Sequence, residues 1–452
     1  MRKQAENNSA TCNSRTLNGK ILHLAVPAIF NNITVPLLGL ADTAIAGHLG
    51  DTASLGAIAV GAMMINVVVW LCGFLRAGTA GLSAQANGAG DYALSRNVLY
   101  KSFIIAAIIS ICCILLQRPL AELLLSTMTN GDEVTRFADT YFKILVWGIP
   151  AQLGLMAVTG WFIGMQNTVV PMVISVGINL INVALSVALV FGSGMGFAGI
   201  PTGTLAANWI GLIAGIWFVV REIRKHPRSR GVSKVRWSRF FSVNRNLFFR
   251  SACIMGVSLT VTALGARMGE VVLAGNAVMM QFFLFFSYFM DGFAYAAEAL
   301  VGHAAGAGNS SELHRTVVAL MKWGAAMATI FLLIYAFASG GITSLLTDQA
   351  EVRRQVESMW IWVVILPPVT VLAFLFDGIF IGLARTGILF ITTLIAAVIF
   401  FAVAFATVHV EISAPNRLLW LGFEAYLFAR GLSLAYCYKI ISRKGVLARG
   451  IE

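Results

Sequence analysis

The chain repeats itself. Phe162-Ile163-Gly164, followed by Thr168, returns 218 residues later as Phe380-Ile381-Gly382, followed by Thr386. The same offset pairs Pro150 with Pro368, Glu133-Val134 with Glu351-Val352, Leu55 with Leu273, and Gly88-Ala89-Gly90 with Gly306-Ala307-Gly308. One register held from about residue 55 to about 168 marks an internal duplication, so the chain must fold into two units of like topology. What those units are follows from their lack of charge. Hydrophobic residues make up 58% and charged residues 12%, against roughly a quarter charged in soluble domains.

Charge-poor stretches of about 20 residues recur along the chain, the length that crosses a hydrocarbon core of roughly 30 Å at about 1.5 Å per helical residue. The expected spans are 21–46, 55–80, 97–117, 137–158, 169–191, 197–220, 247–269, 274–300, 316–339, 356–380, 387–408 and 418–440. Runs such as Ile104 to Leu115 are apolar nearly all round, whereas a barrel strand alternates. Continuous helices also satisfy their own backbone in lipid. The expected fold is an all-α integral membrane protein of about twelve transmembrane helices in two six-helix lobes. Six is even, so the second lobe inserts in the orientation of the first, a parallel repeat. The expected divisions are an N-terminal tail (1–20), an N-lobe (21–220), a basic linker (221–246), a C-lobe (247–440) and a C-terminal tail (441–452).

The formal net charge is +12, and its placement explains it. Residues 221–250 hold ten Lys/Arg against one acid, Glu222. The tails add Arg2, Lys3, Arg15 and Lys20 at one end and Lys439, Arg443, Lys444 and Arg449 at the other. The positive-inside rule then puts both termini and the linker in the cytoplasm, in a multi-pass protein of the inner membrane. A nucleic-acid partner is not expected. The six cysteines show neither a metal spacing nor a disulfide framework. The first apolar run, from Ile21, is span-length and does not read as a cleavable signal. With no H-E-x-x-H and no nucleophile–base pair in the spans, neither an enzyme nor a cofactor is expected.

Polar side chains within the spans are the functional candidates, because a carboxylate in lipid is costly unless protonated, paired or hydrated. Asp42 stands foremost, with no Lys or Arg between Lys20 and Arg76. Withdrawn from water, it could bind and release a proton near neutral pH. Pro27 and Pro36 precede it, and each removes a helix hydrogen bond, so span one is expected to bend. Span five offers Asn179, Asn182 and Ser186, and span six Thr202 and Thr204, as partners for Asp42 or as interhelical glue. In the second half Asp291, Glu298 and Asp377 are candidates for a cation or substrate site. Asp139 and Lys143 read as an (i, i+4) pair, and Arg267 and Glu270 as an (i, i+3) pair. Met279, Met280, Phe283, Tyr288 and Tyr295 belong to a Met- and aromatic-rich stretch. It suits lipophilic ligands, including cations on ring faces, or serves as lipid-facing bulk. The junctions Gln85–Asp91 and His303–Asn309 lack the Lys-Ser/Thr of a phosphate loop and read as tight turns.

Several of these features resemble one family together. Pro27 with Asp42 is one. Another is Asn182-Val-Ala-Leu-Ser186 followed by Gly196-x-x-Gly199-x-x-x-Gly203-Thr204. Ala296-Ala-Glu298-Ala-Leu-Val-Gly302 and Asp377-Gly-Ile-Phe-Ile-Gly382 are further ones. Over its whole length the chain resembles the multidrug and toxic compound extrusion (MATE) family, and within it the DinF-like branch. The resemblance implies an antiporter that expels lipophilic or cationic organic compounds in exchange for H⁺ or Na⁺; the chain is expected to act as a monomer in the lipid bilayer. It also implies a proton-coupling cluster at Asp42, Asn182, Ser186 and Thr204. Ser186 departs from the family, which usually has a second Asp there; span seven also lacks a mid-span Glu, which weakens a sodium-type reading. The alternative within the superfamily is a lipid-linked oligosaccharide flippase. It would need a cationic site, for which Arg76, Lys143, Arg267, Arg385 and Arg430 are candidates, Arg430 lying deepest.

Overall fold

The computed structural model describes residues 2–48, 52–128, 132–225, 234–337, 348–409 and 414–443. The expected tail residues 444–452 and linker residues 226–233 lie outside that set. Among the described residues the chain is helical with no strand. Twelve helices are long and apolar enough to span a membrane: α1 (Thr16–Gly47), α2 (Ser54–Gly88), α3 (Tyr92–Leu115), α4 (Glu133–Gly164), α5 (Val169–Gly192), α6 (Gly196–Lys225), α7 (Trp237–Arg267), α8 (Glu270–Gly306), α9 (Ser310–Phe337), α10 (Trp360–Gly382), α11 (Thr386–Thr407) and α12 (Pro415–Arg443). Several outrun their expected spans at polar ends, where charge ends a hydropathic stretch but not a helix. Two short helices, Gln117–Met128 and Ala350–Ser358, were not expected. The expected linker 221–246 is largely helical at its flanks, since α6 reaches Lys225 and α7 begins at Trp237.

The duplication is carried into the backbone. After α2, Gly90 takes φ +69° and Asp91 caps α3 by accepting from Leu94 N at 2.9 Å. After α8, Gly308 takes φ +69° and Asn309 accepts from Glu312 N at 3.0 Å. Both glycines sit in the left-handed region, which a Cβ disfavours. After α4 and α10 the matching residues are not glycine, yet Gln166 (φ 60°) and Ala384 (φ 52°) adopt the same turn. The helices they end pack alike. A Cβ on Gly160 would strike the Arg76 carbonyl of α2, and one on Gly378 would strike the Ala294 carbonyl of α8. Backbone touches backbone there, as in close-packed membrane helices.

The chain divides into two compact units: Phe30–Phe240, and Phe241–Glu452 together with Met1–Ile29. In the first unit Trp161 and Phe162 of α4 anchor a core with Leu99, Ile174 and Val219, and Trp161 Nε1 donates to Ser95 Oγ at 2.9 Å. The Lys101 ammonium of α3 donates to the Val235 carbonyl and covers the Trp237 ring at 4.3 Å from its centre. In the second unit Phe282 and Phe286 of α8 pack edge-on with Tyr335 and Phe331 of α9. α1 is shared between the units. Its start packs on α8, where Gly292 admits the Ala25 carbonyl 2.9 Å from a Cβ position, and its remainder belongs with the first unit. It is assigned as helix through both Pro27 and Pro36.

One expected pair does not form. Arg267 closes α7 and Glu270 opens α8, with Gly269 at φ +114° between them. The (i, i+3) spacing holds only within one helix, and the chain turns there. Asp139 and Lys143 do pair, at 2.5 Å on exposed surface.

Candidate functional site

In the last turns of α1, Leu37 and Leu40 point outward, 52% and 64% exposed, while Asp42, Ile45 and Ala46 are buried. Helical periodicity thus turns the one acid of this stretch inward. Asp42 meets α6 through Thr204, whose Oγ1 donates to Asp42 Oδ2 at 3.4 Å. Asn182 of α5 donates from Nδ2 to Thr204 Oγ1 at 2.7 Å. The Thr204 hydroxyl also reaches the Ile200 carbonyl, at 3.2 Å. It has one hydrogen, so Asp42 and Ile200 compete for it. Asp42 Oδ1 and Asn182 Oδ1 are buried without a hydrogen bond. Asp42, Asn182 and Thr204 therefore come together, as expected. Ser186 does not join them. It bonds the Ile200 carbonyl at 3.3 Å and packs against Gly203, holding α5 close to α6. Asn179 of α5 bonds α1 instead, donating to the Thr34 carbonyl at 2.7 Å. Thr202 bonds back to Ala198 within its own helix.

Two residues of this site escaped the sequence reading. Tyr141 of α4 is buried within electrostatic reach of Asp42. Phe197 stacks at a tilt on its ring, 6.3 Å between centres. Only the fold brings a span-four phenol to a span-one acid, so sequence spacing held no signal for it.

The second unit differs from expectation. Asp291, Glu298 and Asp377 do not assemble as a ligand set; among the described residues no three His, Cys, Asp or Glu side chains gather to hold a metal. Asp377 of α10 is instead gripped by two guanidiniums. Arg250 of α7 and Arg430 of α12 both donate to its Oδ2. Arg430 was singled out in the sequence; Arg250 was counted with the basic linker. Glu424 of α12 was missed. It is 4% exposed and neither carboxyl oxygen has a hydrogen bond. The cost of an acid within an apolar span marks it in the sequence too, although Arg417 and Arg430 on the same helix make it read as neutralised. Of the expected substrate contacts, Met279 is fully in the core, while Met280, Phe283, Tyr288 and Tyr295 are half-buried.

Twelve helices fit to span a membrane, built twice from one pattern and with a buried acid where α1 meets α5 and α6, suit a secondary transporter. The MatE family model matches residues 27–188 and again 247–406, one match in each half. The chain belongs to the MATE family and is a multi-pass membrane protein. It is 36% identical to DNA damage-inducible protein F of Escherichia coli (strain K12), over 94% of this chain and 92% of that protein. It is 25% identical to multidrug resistance protein MdtK of Edwardsiella ictaluri, over 74% of each. Its fold matches the bent form of the Vibrio cholerae MATE transporter VcmN with a TM-score of 0.83, at 16% identity, covering 96% of this chain and 99% of that one.

Proposed function

We propose that this chain is a proton-coupled antiporter that exports lipophilic or cationic organic compounds by alternating access, with Asp42 as its protonation site. It works as a multi-pass protein of the inner membrane, with both termini in the cytoplasm. The observation that carries this reading is the Asp42–Thr204–Asn182 chain of hydrogen bonds, buried and spanning α1, α5 and α6. A carboxylate inside a bilayer costs roughly 2.5–3.5 kcal/mol on insertion scales, so a nearly bare one is kept for use. When Asp42 is ionised, the Thr204 hydrogen turns to it. When Asp42 takes up a proton, its own O–H donates to Thr204, and the Thr204 hydrogen moves to the Ile200 carbonyl. Proton uptake is thereby written into the contact between α1 and α6. The prolines at 27 and 36 give α1 two places that lack a backbone hydrogen bond, where that change becomes a bend. The coupling ion then shifts the balance of two facing states by binding one of them better.

Dye efflux from reconstituted vesicles under an imposed pH or Na⁺ gradient tests this. The native chain is expected to move dye with the pH gradient, and Asp42→Asn to lose that response while still binding dye. Unaltered efflux in Asp42→Asn rules out the mechanism. Efflux driven by Na⁺ alone assigns the coupling to the other ion.

A further inference from the structure

The Arg250–Asp377–Arg430 cluster has one carboxylate for two guanidiniums. Both arginines use the same oxygen, Asp377 Oδ2, and Oδ1 is left without a partner. Neither arginine has another ion-pair partner among the described residues. Arginine stays charged at any working pH, so the cluster holds a surplus of one positive charge within the helix bundle. Its spare donors are buried with it. Arg250 Nε and Arg430 Nε close no hydrogen bond, and neither does the hydroxyl of Tyr426, although it lies beside Arg430. Tyr426 is 1% and Arg430 5% exposed. Arg250 keeps 15% side-chain exposure and is the most accessible member.

A layer of aromatic rings lies about one turn along the same helices, with the buried Phe423 ring 6.5 Å from that of Tyr426. Phe374 lies one turn before Asp377 on α10, and Phe423 one turn before Tyr426 on α12. Phe283 of α8 bridges them, 6.1 Å from Phe374 and 5.4 Å from Phe423 between ring centres. Phe283 and Phe374 remain half-buried. Glu424 on the same helix bonds to neither arginine, and carried as a neutral acid it leaves the surplus intact.

We infer that this cluster is a binding site for an anionic head group, a sulfonate, carboxylate or phosphate, whose aromatic or lipophilic body lies along Phe283, Phe374 and Phe423. The planar fork of arginine matches such oxyanions, and an anion supplies the missing negative charge. This rests on the export reading and, within its lipophilic class, adds amphiphiles with an acidic end to the compounds the protein takes. The head group belongs either to a free compound or to an anionic lipid.

Binding of two dansyl probes to the purified, full-length protein tests it, one probe ending in a sulfonate and its match in a trimethylammonium. The native chain should bind the sulfonate about ten-fold or more tightly than the trimethylammonium, the scale of one or two charge-assisted hydrogen bonds. Arg250→Gln leaves a neutral Asp377–Arg430 pair and should erase that preference while the trimethylammonium probe binds as before. Asp377→Asn raises the surplus and should strengthen it. Equal binding of both probes by the native chain overturns the inference with no variant needed. So does a preference unchanged in folded Arg250→Gln. Competition by phosphatidylglycerol in mixed micelles assigns the site to a lipid head group, and its failure to compete assigns it to free compounds; either supports an anion site. Failure of pH-driven efflux would strike the antiport reading and leave the binding preference standing. Loss of the preference with efflux intact would do the reverse.

Discussion

At the scale of single residues, the buried acids Asp42 and Glu424 are not equivalent. Asp42 has a hydroxyl that can follow its proton, whereas Glu424 has nothing to answer it. Thr204 should therefore matter for coupling and not merely for packing. Thr204→Ser keeps the hydroxyl and is expected to retain pH-driven efflux; Thr204→Ala is expected to lose most of it with unfolding temperature little changed. Equal efflux in both would deny the hydroxyl any part. Glu424, without a partner, is expected to be carried as the neutral acid, since an isolated buried charge is far costlier than a neutral polar group. Glu424→Gln should then leave thermal unfolding within about 1 kcal/mol of native, while Glu424→Lys should destabilise by several-fold more. A carboxylic-acid carbonyl band that vanishes in Glu424→Gln infrared difference spectra would identify it directly. Asp42 was legible because no base stands near it in sequence. Asp377 read as a similar case and is not one, because both its partners come from other helices, at residues 250 and 430.

At the scale of helices, the repeat is a repeat of contacts. Gly160 and Gly378 each seat a neighbouring main chain, so any side chain there must push two helices apart. Gly160→Val and Gly378→Val are each expected to cost about 3 kcal/mol or to prevent folding, as overpacking against backbone does. Gly177→Ala, with open space around it, should be neutral or gain up to about 1 kcal/mol. Thermal unfolding in detergent separates the three. The spans themselves were legible from hydropathy because their apolar length is set by the bilayer. Their ends were not, since α2, α4 and α8 continue into polar sequence where no lipid limits them. Nor was the turn at Gly269, which separates Arg267 from Glu270: a spacing of three looks the same whether or not a helix joins it.

At the scale of the molecule, the even number of spans in each half means that both tails and residues 226–233 should face one side. Reporters fused at either terminus and within 226–233 are expected to give the same cytoplasmic signal, and a split result would refute that topology. The twofold architecture was legible because a duplicated chain keeps its turns at one interval. How α1 is apportioned was not, because hydropathy sees a single uninterrupted span from Thr16 to Gly47. Its beginning is held by one half of the protein and its end, with Asp42, by the other. Ile29 and Phe30 are neighbours in the chain yet tenants of different houses. On the proposed mechanism, the effect of a proton taken up at Asp42 reaches the residues of the other unit through the backbone of α1 itself. It travels along a single strand of peptide bonds, jointed at Pro27 and Pro36.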